Sequence, residues 1–208
     1  DDYIGVSGVN WQDETFNPTW SQDHSLSIMG GTEDTKYNAS FSRYIENGIF
    51  KNSGFNKTTG KFRLDQKLSK SLSFNFTVNY ALTNREGVGT SGDSGRFNML
   101  AQILSARPTG GLRLTDEELL ETAIDPEMLE DGSESLAQVN PVKQTESVTN
   151  KKRSEMWSGN LSVSWQIIKG LTFKTAGTYN TTNTRNDVFY KEGSKEAYRN
   201  GQSPYGQT

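Results

Sequence analysis

Between Leu72 and Leu82 the chain alternates without interruption, setting Leu72, Phe74, Phe76, Val78, Tyr80 and Leu82 against Ser73, Asn75, Thr77, Asn79 and Ala81. Successive side chains of a strand point to opposite faces, so this stretch predicts a strand with one apolar and one polar face. Its span of about eleven residues exceeds the ordinary globular strand and suits a tilted strand crossing the hydrocarbon core of a bilayer. The same period recurs over 20–29, with Leu26 and Ile28 against Ser25 and Ser27, and over 36–45, with Tyr37, Ala39, Phe41 and Ile45 against Asn38, Ser40 and Ser42. It returns over 59–68, where Phe62, Leu64 and Leu68 oppose Lys61, Arg63, Asp65 and Lys67. It returns again over 155–166 through Trp157, Gly159, Leu161, Val163 and Trp165, and over 171–182 through Leu171, Phe173, Gly177 and Tyr179. Two residues break the parity. Arg43 falls on an apolar position, which a snorkelling side chain at an interface or a β-bulge would accommodate, and Gln66 falls on another.

The connections between these strands alternate in length. Residues 30–35 hold Gly30-Gly31 and an Asx-type turn signal, 46–56 form a longer link, 69–71 a tight turn, 84–150 a long excursion, and 167–170 a short turn again. Short and long connections in strict alternation describe an antiparallel up-and-down meander whose two ends face different surroundings. The expected fold class is therefore all-β, about six long strands forming a segment of a large transmembrane barrel, with short helices in a long external loop. Aromatic residues collect near strand ends: Trp20, Tyr80, Trp157 and Tyr179 at the long-loop end, Tyr37, Trp165 and Phe173 at the other. Interfacial girdles have that distribution. On this reading Leu72, Phe74, Phe76, Val78, Leu82, Leu161 and Val163 face lipid, while Ser73, Asn75, Thr77 and Asn79 face a watery lumen. Soluble strands alternate too, so the alternative is a soluble β-rich surface glycan-binding module whose greasy faces pack on each other.

Inside the long excursion, 97–106 suits a short helix, and Thr115-Asp116-Glu117-Glu118 reads as a capping box ahead of Leu119 and Leu120. Asp125-Pro126 is expected to end that helix and to start another turn through Met128 and Leu129. Residues 1–18, and those from about Asp187 onward, read as loop.

Composition narrows the chemistry. The mean hydropathy of −0.74 and the lack of any long apolar run exclude a transmembrane helix, but alternating strands average to a hydrophilic score as well. The 208 residues include no cysteine and one histidine, which removes disulfides and thiol chemistry and limits metal sites. A net charge of −3 with both signs interspersed leaves no nucleic-acid footprint.

Several motifs resemble chemistry without its context. Gly87-Val88-Gly89-Thr90-Ser91-Gly92 matches G-x-G-x-x-G, yet the strand before it alternates and is not the buried parallel strand that a dinucleotide site needs. Gly92-Asp93-Ser94-Gly95, with His24 upstream, resembles a serine-protease nucleophile segment but continues with Arg96-Phe97. The acids Asp116, Glu117, Glu118, Glu121, Asp125, Glu127, Glu130 and Asp131 lack the spacing of a calcium loop and suit a solvated helix start. The Asn-x-Ser/Thr triplets at Asn38, Asn56, Asn75, Asn160 and Asn180 fall mostly within the strands, where polar alternation explains them. No catalytic residue, metal site or cofactor is expected, and the chain reads as a non-enzyme.

Other phrases carry a family resemblance. Asn10-Trp11-Gln12-Asp13-Glu14, Leu26-Ser27-Ile28-Met29-Gly30-Gly31, Lys36-Tyr37-Asn38-Ala39-Ser40, Glu46-Asn47-Gly48-Ile49, Gly60-Lys61-Phe62-Arg63-Leu64-Asp65, Asn140-Pro141 and Lys169-Gly170-Leu171-Thr172-Phe173 follow one another along almost the whole chain. In that order they resemble the barrel of SusC/RagA-type TonB-dependent transporters. The resemblance implies a barrel of about 22 strands in the cell outer membrane, closed by an N-terminal plug. It also implies import of glycans or peptides with a SusD-like surface lipoprotein, driven through the TonB complex. Plug domain, TonB box and signal peptide do not figure in the sequence, so a partial barrel chain is the expectation.

Overall fold

A computed structural model describes residues 7–88, 99–110, 114–123, 140–199, 201 and 204–207. Its order is α1 (Trp11–Thr15), β1 (Ser21–Gly31), β2 (Thr35–Asn47), β3 (Gly54–Lys67), β4 (Leu72–Glu86), α2 (Met99–Ser105), α3 (Asp116–Glu121), α4 (Pro141–Ser147), β5 (Val148–Ile168), β6 (Leu171–Tyr190), α5 (Lys195–Arg199) and β7 (Tyr205–Gln207). The strands form one sheet in sequence order, every neighbouring pair antiparallel. The chain is thus mostly antiparallel strands in an open meander with short helices, as the alternation predicts.

Register runs unbroken from β1 to β5. Leu26 sits across from Phe41, Phe41 from Gly60, Gly60 from Tyr80, and Tyr80 from Trp157. Directly opposed residues share a face, and a slip of one residue would invert that face. The six alternating segments are therefore locked into one common parity. β2 carries no register shift, so Arg43 is not at a bulge. It pairs with His24 and Thr58 in the row of Leu82 and Glu155, where the apolar side turns polar, and there its charge reaches water. Gln66 lies at the opposite end and accepts from the Thr35 hydroxyl at 2.7 Å.

Several elements exceed what alternation predicts. β5 begins at Val148 and not near residue 155, and β6 continues to Tyr190 and not 182. Around Lys151-Lys152-Arg153 and Thr182–Asp187 both parities are polar, so the period fades although the ladder of hydrogen bonds continues. Ile168 belongs to β5, leaving Lys169-Gly170 as the turn, with Gly170 at φ +91°. Residues 1–18 are not all loop: Asn10 caps α1 by accepting from the Gln12 N–H. The stretch from Asp187 likewise holds the end of β6, α5 and β7. The helix expected over 97–106 is α2, and the box at Thr115 opens α3. The turn expected at Asp125-Pro126 and Met128 lies outside the described residues.

The buried core is not in the sheet. Trp11, Phe50, Met99, Ile103 and Leu119 form it, and Val9, Phe16, Val88 and Val142 pack around them. All of these come from the segment before β1 and from the long connections, which gather at one end of the sheet into a cap. Phe16 and Phe50 meet edge to face at 5.0 Å, and the Trp11 indole N–H donates to the Arg107 carbonyl at 2.9 Å. Around them α4 buries Pro141, Gln144, Thr145 and Ser147.

Candidate functional site

Among the described residues both faces of the sheet are uncovered, and they differ in chemistry. One carries Leu26, Ile28, Tyr37, Ala39, Phe41, Phe62 and Leu64 from β1 to β3, then Leu72, Phe74, Phe76, Val78, Tyr80 and Leu82 from β4. Trp157, Leu161, Val163 and Trp165 of β5 continue it, followed by Phe173 and Tyr179 of β6. The result is one apolar band across six strands. Leu26 is 64% exposed, Phe41 51%, Leu161 48% and Phe173 53%. A soluble monomer rarely leaves so large a contiguous apolar surface open to water. A second apolar layer, which the glycan-binding module would need, is missing among the described residues.

The band has a defined height. From Leu72 to Leu82 is a rise of about 33 Å along the strand, which a barrel tilt of about 40° reduces to about 25 Å, the apolar height of an outer-membrane barrel. Aromatic residues mark its margins. The Tyr80 and Trp157 rings meet, tilted by 48°, with centroids 4.5 Å apart toward the cap, while Trp165 and Phe173 oppose each other next to the short turns. Tyr179, across from Gly159, lies one row inside the Tyr80–Trp157 pair. Trp20, 81% exposed, stands just before β1 at the cap end.

The other face is mostly polar. Ser42 and Thr59 share a hydrogen bond at 2.6 Å, Asn160 donates to Thr178 at 2.8 Å, and Arg63 pairs with Asp65 at 2.9 Å while Asn75 donates to the same carboxylate. Toward the short turns this side is hollowed by a cavity of about 680 Å³. Lys36, Asp65, Asn75, Ser164 and Lys174, from five successive strands, are among the residues that line it. Near the cap the same face carries Tyr44, whose hydroxyl donates to Glu46 at 2.8 Å. Phe55 stands beside it with centroids 6.1 Å apart, and the Arg85 guanidinium lies 5.8 Å from the Phe55 ring centre.

The cap is held by side chain to backbone hydrogen bonds. Asn140 accepts from the N–H groups of Val142 and Lys143 and donates to the carbonyls of Leu119, Leu120 and Thr122. Gln144 joins α4 to α5, accepting from the Lys195 N–H and donating to Glu196. Thr115 and Glu118 close the capping box reciprocally, and the backbone and hydroxyl donors of Thr115 hold the Glu118 carboxyl below its ordinary pKa. Lys143 is raised by its hydrogen bond to Glu121, a contact of 2.8 Å at the surface that contributes little to stability.

Among the described residues nothing assembles a reaction centre. His24 contacts Gln22 at 3.3 Å on the exposed edge strand. Gly87 turns the chain at φ +113° after β4, and the rest of the glycine-rich motif, with Asp93 and Ser94, lies outside the described residues. Of the acidic cluster, Asp116 to Glu121 occupy α3, and among the described residues no three His, Asp or Glu side chains converge on a metal position. No described helix is long and apolar enough to cross a membrane, a statement that does not bear on strands.

Comparison with known proteins agrees with the geometry. No family model matches the chain. It is 23% identical over 184 residues to the TonB-dependent receptor P3 of Formosa agariphila, covering 87% of this chain and 17% of that protein. It is 32% identical over 78 residues to the TonB-dependent receptor SusC of Bacteroides thetaiotaomicron, covering 37% of this chain and 8% of that protein. Among solved structures, the RagAB peptide importer in its closed-closed state superposes with a TM-score of 0.61 at 17% identity, over 91% of this chain and 21% of that one. The open-open state gives 0.63 at 16% identity, over 89% and 20%. The chain therefore spans about a fifth or less of the relatives it matches. Those relatives are receptors and importers, not enzymes. In sequence the chain is similar to TonB-dependent receptors, SusC among them, and its fold is that of a β-barrel segment like those of the RagAB importer.

Proposed function

We propose that the chain is part of the wall of an outer-membrane importer of glycans or peptides. Leu72, Phe74, Phe76, Val78, Leu82, Leu161 and Val163 meet lipid, and Trp20, Tyr80, Trp157, Trp165, Phe173 and Tyr179 sit at the two interfaces. The polar face lines the lumen. A SusD-like lipoprotein covers the cap end, and the TonB complex acts through parts of the protein beyond this stretch. The kinship with SusC and with the RagAB peptide importer supports the transport reading. The observation that carries the orientation is the single apolar band, in register across six strands, backed by a polar hollow.

The test is a pair of neighbouring substitutions in the full-length protein. Phe76→Arg puts a charge at the middle of the band and is expected to cost about 2–4 kcal/mol of folding free energy in the bilayer. Asn75→Arg, one position away on the other face, is expected to fold as the parent does. Folded fraction in lipid vesicles, read by heat-modifiable gel mobility against urea, checks both. Equal tolerance of the two would remove the assignment of faces.

A further inference from the structure

We propose that Tyr44, Phe55 and Arg85, together with Lys57 and Lys152, form a contact station for an acidic oligosaccharide at the cap end of the polar face. The inference rests on the importer reading, in which that face lines the lumen and this row is the first below the cap.

The station stands out against its surroundings. From β1 through β5, the polar parity holds mostly Ser, Thr, Asn and charged residues, and its only aromatic rings are Tyr44 and Phe55. Rings placed there for packing would belong to the cap core. Neither does, and both are half-buried. They stand as neighbours, tilted 60° to each other, and the part of each ring left accessible is one on which the apolar C–H face of a sugar can stack.

Beside the rings three cations outnumber two carboxylates, Asp23 directly across from Tyr44 and Glu46 directly across from Phe55. Arg85 lies against Phe55, Lys152 sits directly across from Arg85, and Lys57 directly across from Tyr44. Among the described residues none of these three cations has an ion-pair partner, whereas Arg63 deeper on the same face is paired with Asp65. The nearby carboxylate of Glu46 accepts from the Tyr44 hydroxyl. A guanidinium resting on a ring keeps its planar edge of N–H donors free for a carboxylate or sulfate. Hydroxyl pairs flank the station, Ser42 with Thr59 and Ser154 with Thr184, and can exchange hydrogen bonds with a polyhydroxylated ligand. Stacking surface, unpaired cations and hydroxyls in one patch describe the recognition of a uronic acid or sulfated sugar.

The experiment is equilibrium binding to the full-length protein in detergent, with an oligogalacturonate and a neutral α-glucan of equal length as probes. The uronate oligomer is expected to bind preferentially, and raised salt is expected to weaken it. Arg85→Gln and Phe55→Leu are each expected to weaken it about tenfold, as loss of a charge-assisted contact would. Asn79→Ala, deeper on the same face, should bind as the parent does, and heat-modifiable mobility confirms that each variant is folded. Several results would overturn the proposal: no uronate binding, equal binding of the neutral glucan, tighter binding of an oligoglutamate peptide, or variants indistinguishable from the parent. If any of these appears while Phe76→Arg and Asn75→Arg still differ, the ligand class falls and the orientation of the wall stands.

Discussion

Asn140, 7% exposed, uses both ends of its amide. Its oxygen caps α4, and its NH₂ group closes the end of α3 by donating to three carbonyls. Asn140→Asp retains the capping oxygen but turns an acceptor toward those carbonyls, whereas Asn140→Ala removes both functions. Leaving buried carbonyls without a donor costs about 1–3 kcal/mol. Hydrogen exchange in the full-length protein is expected to show faster exchange in 119–122 for both variants. In 142–145 only the alanine variant should match that loss. The local chemistry was legible in part. Thr115 to Glu118 announced its capping box because both partners lie within four residues. Asn10 before Trp11, and Asn140 before Pro141, are helix starts just as plain, an N-cap side chain followed by acids or by proline at the first helical position. In the sequence they registered only as family phrases, because helices this short have no apolar period to draw attention to them.

At the scale of elements, alternation is visible only where the two sides of a strand meet different media. It marks Leu72–Leu82 completely and loses 149–154 and 183–187, where both sides are polar and the strands run on beyond the band. Turn chemistry filled some of that gap. Gly170 sits at φ +91° in the two-residue link between β5 and β6, a region that a Cβ makes costly. Gly170→Ala is expected to destabilise this hairpin by about 1–2 kcal/mol. Gly177→Ala, within β6 with open space beside it, should be near neutral. The urea midpoints of the two full-length variants in lipid vesicles check the contrast. The long-range order of the cap was not legible at all. Trp11, Phe50, Met99 and Leu119 are too far apart in sequence for any local pattern to connect them.

At the scale of the whole molecule the sheet has two open edges among the described residues. β1 has no outer partner, and β6 pairs with β7 only from Val188 to Tyr190. Unpaired edges recruit other strands, so the isolated chain is expected to associate in water through them. In the full-length protein the amides of 21–31 and 171–187 should be as protected from exchange as those of β3 and β4. Rapid exchange there would mean that the wall does not continue past these strands. The same topology bears on the order of assembly. Apart from β4 and β5, which the long excursion separates, each hairpin of the meander joins neighbours in sequence and closes cheaply, while the cap draws on residues from 9 to 195 and can form only once the intervening strands have found each other. The compact knot of side chains at the cap end is thus the last part of this stretch to take shape, and its appearance signals that the sheet beneath it is complete.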